Sequence, residues 1–412
     1  MSARGAGGAG PLTWLDPAVD TDVADPLTTQ FLDRFGDLPD GVWAAPGRIN
    51  LVGEHTDYNG GYALPLALPH RTYAAVRRRD DGLLRLASLQ APHGWEGPVT
   101  TVRQGSPDGW AAYVAGVASV LAERAGAAEV GMDVLVDGHV PLGAGLSSSA
   151  ALSCSVGLAL RDLVPGLADL PVDDLVDACV RAENEVAGAA TGGMDQTVSL
   201  RAVDEHLLLL DARDRTVVPV AWSLPDHELL VVDTRVHHAL GDGQYERRRR
   251  TCETAAAALG VGSLRELDPE VLDRGGDLSS GPTGVLDRIP DALPRVRHVL
   301  TENERVLDLV TALREQDVAR VGALMTASHA SLRDDYGVSC RELDVAVDAA
   351  LADGAPGARM TGGGFGGSAV VLVARTQVER VACAVAEAFA REGLDAPAFL
   401  NAVPGPPARR VR

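Results

Sequence analysis

The chain has 412 residues, 46% of them apolar, enough to bury a substantial core and form two domains. Its 37 basic side chains face 57 carboxylates, a formal charge of −20 that disfavours nucleic acid or an anionic membrane as partner. All 37 are Arg, so neither a Walker-type phosphate loop nor the protein-kinase arrangement, each built on a Lys at the phosphates, can operate. Five scattered cysteines (154, 179, 252, 340, 383) form no CxxC pair and read as reduced thiols. With no signal-like apolar segment and no apolar run of membrane-spanning length, a cytoplasmic protein is expected.

Residues 1 to about 20, rich in Gly, Ala, Pro and Asp, read as a flexible leader, and the Gly-x-Gly-x-x-Gly match at 5–10 inside it carries nothing. Strands are predicted near 42–52, 72–78, 83–89 and 132–137, with an amphipathic helix at about 110–125. A long apolar helix starts within Ser147–Ala151 and runs to about 163; another covers about 172 to 188 and leads to a turn at Gly192–Gly193. Strands at Leu207–Leu210 and Leu229–Asp233 then pass the chain into helices at 245–259, 295–315, 317–331 and 341–352. Between the first two of these lies a Gly-, Asp- and Pro-rich loop at about 262–292, expected to be the least ordered internal segment. The chain closes strand–helix–strand over Ser368–Val373, Val378–Arg391 and Ala398–Val403. Without a regular βαβ period, α+β is favoured over a doubly wound sheet, and the domains are expected at 21–215 and 216–412.

Gly47 to Gly61 reads Gly-Arg-Ile-Asn-Leu-Val-Gly-Glu-His-Thr-Asp-Tyr-Asn-Gly-Gly. An apolar approach (Ile49, Leu51, Val52) delivers Arg48, Glu54, His55 and Asp57 into one Gly-flanked turn. One cation, two carboxylates and an imidazole suit gripping a polyol by its hydroxyls. There is no HExxH, no second spaced His and no nearby Cys, so His55 does not read as a metal ligand. In Pro141–Leu152, Gly143 and Gly145 let the backbone approach an anion, and the serines that follow cap a helix. Exposed N–H groups at the positive end of that helix make an anion site that needs no Lys. The bare pattern equally describes a Ser-capped buried helix.

Glu183 shares a helical face with Val176, Cys179, Val180 and Ala187, so it points inward and must be paired with an Arg, protonated or bound to a metal. Gly192-Gly-Met-Asp-Gln196 places Asp195 on a permissive turn just before a strand, where an Asp is most often a turn former. The Gly-rich run Gly362–Gly367 precedes a strand, whereas a dinucleotide fingerprint follows one, so a Rossmann reading fails. Tyr245, by itself an ordinary half-buried Tyr, opens a helix whose run Arg247–Arg250 reads as a solvated face.

The Gly47–Gly61 run resembles the galactokinase signature of the GHMP small-molecule kinases. Pro141–Leu152 resembles their phosphate-binding motif, and Arg359–Gly367 their third motif, with Gly363 where galactokinases usually carry Ala. The segments around Tyr245, Ser331–Val338 and Glu342–Asp344 also resemble this family, so the likeness runs from about 44 to 375, with the leader and the 262–292 loop outside it. It implies a two-domain GHMP kinase fold with the site in the cleft between domains, and transfer of a phosphoryl group from ATP to the C1 hydroxyl of α-D-galactose with Mg²⁺. It implies Asp195 as catalytic base with Arg48 beside it, and a sugar site of Arg48, Glu54, His55, Asp57, Gly193, Asp195 and Tyr245. ATP would meet Ser88, Gly143, Ala144, Gly145, Leu146, Ser147, Ser148 and Ser149, with Ser149 and Glu183 as the metal ligands. The same motifs fit a kinase for N-acetylgalactosamine, galacturonate or arabinose, or a non-catalytic galactose- and ATP-binding regulator. Such regulators lack the Ser-Ala pair that stands here as Ser149-Ala150, which favours catalysis. A monomer acting on small molecules is expected.

Overall fold

The computed structural model describes every residue except 1, 5–10, 128–129, 190, 237–242 and 270–281. Its first half is built on β3 (Gly41–Asn50), in which all ten residues are buried because both faces of the sheet are covered. Trp43 and Ala45 point to one side, Val42 and Ala44 to the other, as the two-residue period requires. The sheet runs β15 (Arg409–Arg410), β3, β5 (Pro65–Arg79), β8 (Gly131–Gly138), β6 (Leu83–Ser88), β7 (Trp95–Pro98), antiparallel except for the parallel β6–β8 pair. Helices α2 (Trp110–Ala125), α3 (Ser148–Leu163) and α4 (Val172–Ala182) cover the Trp43 side. Helix α1 (Asp20–Phe35) covers the other through Val23, Leu27 and Phe31.

The second half carries a sheet ordered β1 (Ser2–Arg4), β2 (Leu12–Trp14), β14 (Ala398–Ala402), β11 (His227–Asp233), β13 (Ser368–Ala374), β12 (Gly357–Thr361). On one side Leu230, Val232, Val371 and Phe399 meet α6 (Gln244–Leu259), α9 (Arg341–Ala352) and α10 (Val378–Arg391). On the other, Val231, Val370, Leu372 and Leu400 pack with Val306, Leu309 and Met325 of α7 (Ala292–Arg314) and α8 (Val318–Ser331). Ile49, Leu51 and Leu66 of the first half complete this cluster, so the strand carrying the Gly47–Gly61 run is anchored in a core shared by both halves. A small sheet of β10 (Thr216–Ala221), β9 (His206–Asp211) and β4 (Tyr62–Ala63) flanks it, next to α5 (Met194–Arg201). Among the described residues no helix is long and apolar enough to cross a membrane.

Three expectations are corrected. Residues 11–20 are not a flexible leader: Leu12 and Trp14 are buried, β2 pairs in parallel with β14, and the Trp14 and Phe399 rings lie 5.7 Å apart. Two large apolar side chains at alternate positions outweigh the Gly/Pro-rich composition; residues 5–10 lie outside the described residues. Asp195 does not precede a strand but stands in the first turn of α5, because Gly193 in the left-handed region (φ 92°) starts a helix whose Met194 and Val198 are buried. The Arg247–Arg250 run is not simply a solvated face, since Arg248 donates to the carbonyls of Tyr336 (3.0 Å) and Gly337 (2.8 Å). In the 262–292 loop, Ser263 and Glu266 close a capping box and Leu264 and Leu286 are buried, while 270–281 lie outside the described residues. At the other end of the chain, β15 pairs with β3, so each half receives a terminal strand from the opposite end of the chain, across the expected division at 215/216.

Candidate active site

The pairing of β3 with β5 slips between Pro46 and Arg48. Such an irregularity re-aims the next side chain, and here it turns Arg48 toward α5. Arg48 donates from Nε to Asp195 Oδ1 at 2.8 Å, pairs with the same oxygen through Nη2 at 2.8 Å, and donates from Nη1 to the Gly145 carbonyl at 2.8 Å. Gly47 must be Gly, because a Cβ there would stand 2.5 Å from the Leu146 carbonyl oxygen. The other Asp195 oxygen accepts from Ser147 Oγ at 2.5 Å. One carboxylate is therefore held by the polar turn's strand and by the Gly-rich loop together.

That loop turns at Gly143 (φ 73°) and Gly145 (φ 72°), with Ala144 and Leu146 buried between its turns. Ser147 was expected among the helix caps; instead it lies in the left-handed region (φ 59°) and makes no side-chain cap to α3. Its hydroxyl is committed to Asp195, which leaves the first-turn N–H groups of α3, beginning at Ser148, without a side-chain cap and able to receive an anion. The second Gly-rich run packs against the loop, with Ser368 Oγ donating to the Ala144 carbonyl at 2.8 Å. Ser88 ends β6 with its hydroxyl turned to Gln90, and no hydrogen bond among the described residues ties it to the 143–149 loop.

Ser149 Oγ lies 3.4 Å from Glu183 Oε1, and Gln196 Nε2 donates to Glu183 Oε2 at 2.6 Å. Glu183 opens a single π-helical turn, Glu183–Ala187, continuing α4. Its hydrogen-bond partners are uncharged, not the Arg considered from sequence, and burial pushes its pKa up to about 8, with the Asp195 charge adding to the rise. A cation beside it would restore the carboxylate. Among the described residues no group of three or more His, Cys, Asp and Glu side chains could hold a metal. Two protein oxygens beside a helix N-terminus able to receive an anion nonetheless fit Mg²⁺, which takes the rest of its shell from phosphates and water.

In the polar turn, Glu54 Oε1 accepts from the Gly362 N–H (2.6 Å) and from Thr361 Oγ1 (3.0 Å), with Arg359 Nη2 at 3.7 Å. Glu54 thus ties the turn to the second Gly-rich run. Asp57 is pushed up to about 6 by burial; the Tyr58 N–H opposes that rise, and Asp195 and Glu54 reinforce it. A Cβ on Gly192 would collide with the Asp57 carboxylate, so the Gly192–Gly193 pair exists to let α5 come this close. The His55 ring lies 5.5 Å from that of Tyr245 on α6 and 4.7 Å from that of Tyr336. The structure therefore brings Arg48, Glu54, His55, Asp57, Gly193, Asp195, Tyr245, the 143–149 loop and Glu183 into one region, to which no hydrogen bond among the described residues ties Ser88.

Three family models match the chain: the galactokinase galactose-binding signature over 29–78, the GHMP kinases N terminal domain over 112–202, and the GHMP kinases C terminal over 309–391. A galactokinase of Streptomyces coelicolor is 48% identical over 396 residues, covering 94% of this chain and 99% of its own. The chain belongs to the galactokinase family. A crystal structure of Lactococcus lactis galactokinase complexed with galactose matches with a TM-score of 0.87 and 32% identity, over 94% of this chain and 99% of that one. Mevalonate kinase of Methanococcus jannaschii, with a TM-score of 0.62 and 14% identity over 90% of this chain and 98% of its own, shares the fold alone. The α+β GHMP kinase fold expected from the sequence is the one observed.

Residues outside the expected set also shape this family's signature turn. Glu302 of α7 is fully buried and accepts from the Gly53 N–H (2.9 Å), Ser328 Oγ (2.6 Å) and Arg305 Nε (2.7 Å). Burial pushes its carboxyl upward, but Arg305, His298 and Arg359 together hold it down at about 2. His298 Nε2 lies 3.0 Å from the Glu54 carbonyl oxygen, and Asn303 Oδ1 accepts from the Tyr62 N–H at 2.7 Å. The clue was present in sequence: Glu302 sits between Val299 and Val306 on an apolar helical face, the same signal that singled out Glu183.

Proposed function

We propose that this chain transfers the γ-phosphoryl group of ATP to the C1 hydroxyl of α-D-galactose, giving α-D-galactose 1-phosphate and ADP. The observation that carries the reading is the Asp195 carboxylate, gripped by Arg48 of the signature strand and by Ser147 of the phosphate loop. Asp195 takes the proton of the C1 hydroxyl as that oxygen bonds to phosphorus and the β–γ bridging oxygen leaves with ADP. Arg48 orients Asp195 and offsets charge on the transferring group. The uncapped N-terminus of α3 receives the phosphates through its N–H groups. Ser149 and Glu183 would hold Mg²⁺, which supplies charge neutralisation at the phosphates when bound. Asp57, His55 and Tyr245 orient the sugar, and Glu54 locks their turn onto the second Gly-rich run. Because the transition state is loose, alignment of these groups does most of the work.

ADP release measured across a sugar panel tests the assignment. Galactose should exceed glucose, N-acetylgalactosamine, galacturonate and arabinose in kcat/KM. Equal efficiency on any of these would sink the named substrate, and ATP binding without turnover on every sugar would sink catalysis.

A further inference from the structure

His55 stands at the end of a run of polar groups that the phosphoryl-transfer reading leaves unused. Its Nδ1 lies 2.8 Å from Tyr58 Oη, Tyr58 Oη lies 2.7 Å from Tyr336 Oη, and Tyr336 Oη lies 3.1 Å from Cys252 Sγ. The four come from three elements: His55 and Tyr58 from the signature turn, Tyr336 from a π-helical turn at Leu332–Tyr336, and Cys252 from α6. Cys252 and Tyr336 are completely buried. Packing fixes the Tyr336 ring, with His55 at 4.7 Å, His298 at 4.5 Å and the Arg295 guanidinium at 5.5 Å. Burial pushes the phenols of Tyr58 and Tyr336 well above the usual tyrosine range, so both keep their protons.

Each phenol has one proton to donate and two neighbours in the run, so the run must be polarised in one direction. A phenol is a good O–H donor and, with its oxygen conjugated to the ring, a poor acceptor, whereas an unprotonated imidazole nitrogen is a good acceptor. The stronger arrangement therefore has Tyr58 donating to His55 Nδ1, Tyr336 donating to Tyr58, and the Cys252 thiol donating to Tyr336. We propose that Tyr336 and Cys252, acting through Tyr58, are positioning residues that fix His55 as its Nε2–H tautomer, a donor for a sugar hydroxyl. The inference rests on the galactose reading of the site. It gives that site a direction: Asp57 accepts from a hydroxyl, and His55 donates to one. The opposite tautomer would leave two acceptors facing the sugar and lose one hydrogen bond.

Nitrogen-15 NMR of the ten histidines, with His55 assigned by its loss in His55→Gln, reads the tautomer directly. The full chain should show the proton of His55 on Nε2, and Tyr58→Phe should mix the two tautomers. Tyr336→Phe should do the same in weaker form while keeping the ring that packs against His55 and His298. Tyr58→Phe should raise the galactose KM about twofold, as an even tautomer mixture predicts, and Tyr336→Phe by less, with the ATP KM unchanged. Melting temperatures within a few degrees of the parent would show that the variants remain folded. A His55 proton on Nδ1 in the parent, or a galactose KM unmoved in both variants, overturns the proposal. The tautomer is read without substrate, so an Nε2–H ring in a protein that does not phosphorylate galactose would strike the functional reading and leave the relay supported.

Discussion

In the proposed reaction Asp195 and Asp57 take opposite tasks in one site, and single substitutions separate them. Asp195→Asn keeps the shape, with its amide oxygen accepting from Arg48 and its NH2 donating to Ser147 Oγ, but cannot take a proton at neutral pH. It should bind galactose and ATP near normally and lose about 10²–10⁴-fold in kcat. Near-parental kcat in the purified variant would remove Asp195 from the base role. In the same proposal Asp57 is a pH-sensitive acceptor, because burial holds its carboxyl at about 6. Above that value it is ionised and accepts from a sugar hydroxyl; below it the added proton removes that acceptor. The kcat/KM for galactose, which reports the free enzyme, should therefore decline as pH falls through about 6. In Asp57→Asn that inflection should vanish and kcat/KM should be lower by several kcal/mol at pH 8, on the order of a lost charge-assisted hydrogen bond and the desolvation behind it. An unchanged inflection in Asp57→Asn would assign it to another group.

At the scale of elements, helices with clean apolar periodicity were legible nearly to the residue: 110–125, 341–352 and 378–391 are observed as Trp110–Ala125, Arg341–Ala352 and Val378–Arg391. What escaped was structure set by tertiary contact. Helix α1 buries Val23, Leu27 and Phe31 at helical spacing, but Pro26 on its exposed side argues locally against a helix. Asp195 follows two glycines and so read as a turn, whereas burial of Met194 and Val198 makes those residues helical. The inward direction of Glu183 was legible from its helix face; the π turn that seats it was not, since no residue pattern specifies one. That turn has a measurable consequence. Folding lifts the Glu183 pKa from an ordinary 4.5 to about 8. Between those values the native state holds a proton that the unfolded chain has released, so this group's contribution to stability falls as pH rises and is lowest above 8. Glu183→Gln has no such titration. Without nucleotide it should match the parent near pH 4.5 and exceed it at pH 9 by on the order of 1 kcal/mol or more. Added Mg²⁺ and ATP should narrow that gap, because only the parent carboxylate gains a cation. A difference that is constant from pH 4.5 to 9, or a gap untouched by Mg²⁺ and ATP, would count against both the burial and the metal assignment.

At the scale of the whole molecule, two halves were readable from length and motif order, but their interdependence was not. A strand of two or three residues carries little periodicity, so nothing in Leu12–Trp14 or Arg409–Arg410 announces the sheet it joins. The halves are bound three ways. They share the apolar cluster joining Ile49, Leu51 and Leu66 to Val370, Leu372 and Leu400. Polar ties cross the junction from Gly53 to Glu302 and from Glu54 to Gly362. Exchanged end strands sew each terminus into the opposite sheet, and Arg71 holds the returning tail by the Pro406 carbonyl at 2.9 Å. Opening either half alone would expose the shared cluster and take the Gly53 N–H from Glu302 and the Pro406 carbonyl from Arg71, so partial unfolding gains little chain entropy for what it loses. The protein should therefore unfold by calorimetry in one transition, with calorimetric and van't Hoff enthalpies that agree, despite its length. Trp14→Ala probes the same coupling from one end. It removes a buried indole from β2, a loss of about 3–5 kcal/mol, and should lower the single transition as a whole. Two resolved peaks in the parent, or a Trp14→Ala variant in which one half melts early while the other keeps its parental midpoint, would show that the halves are independent and that the exchanged strands do not couple them.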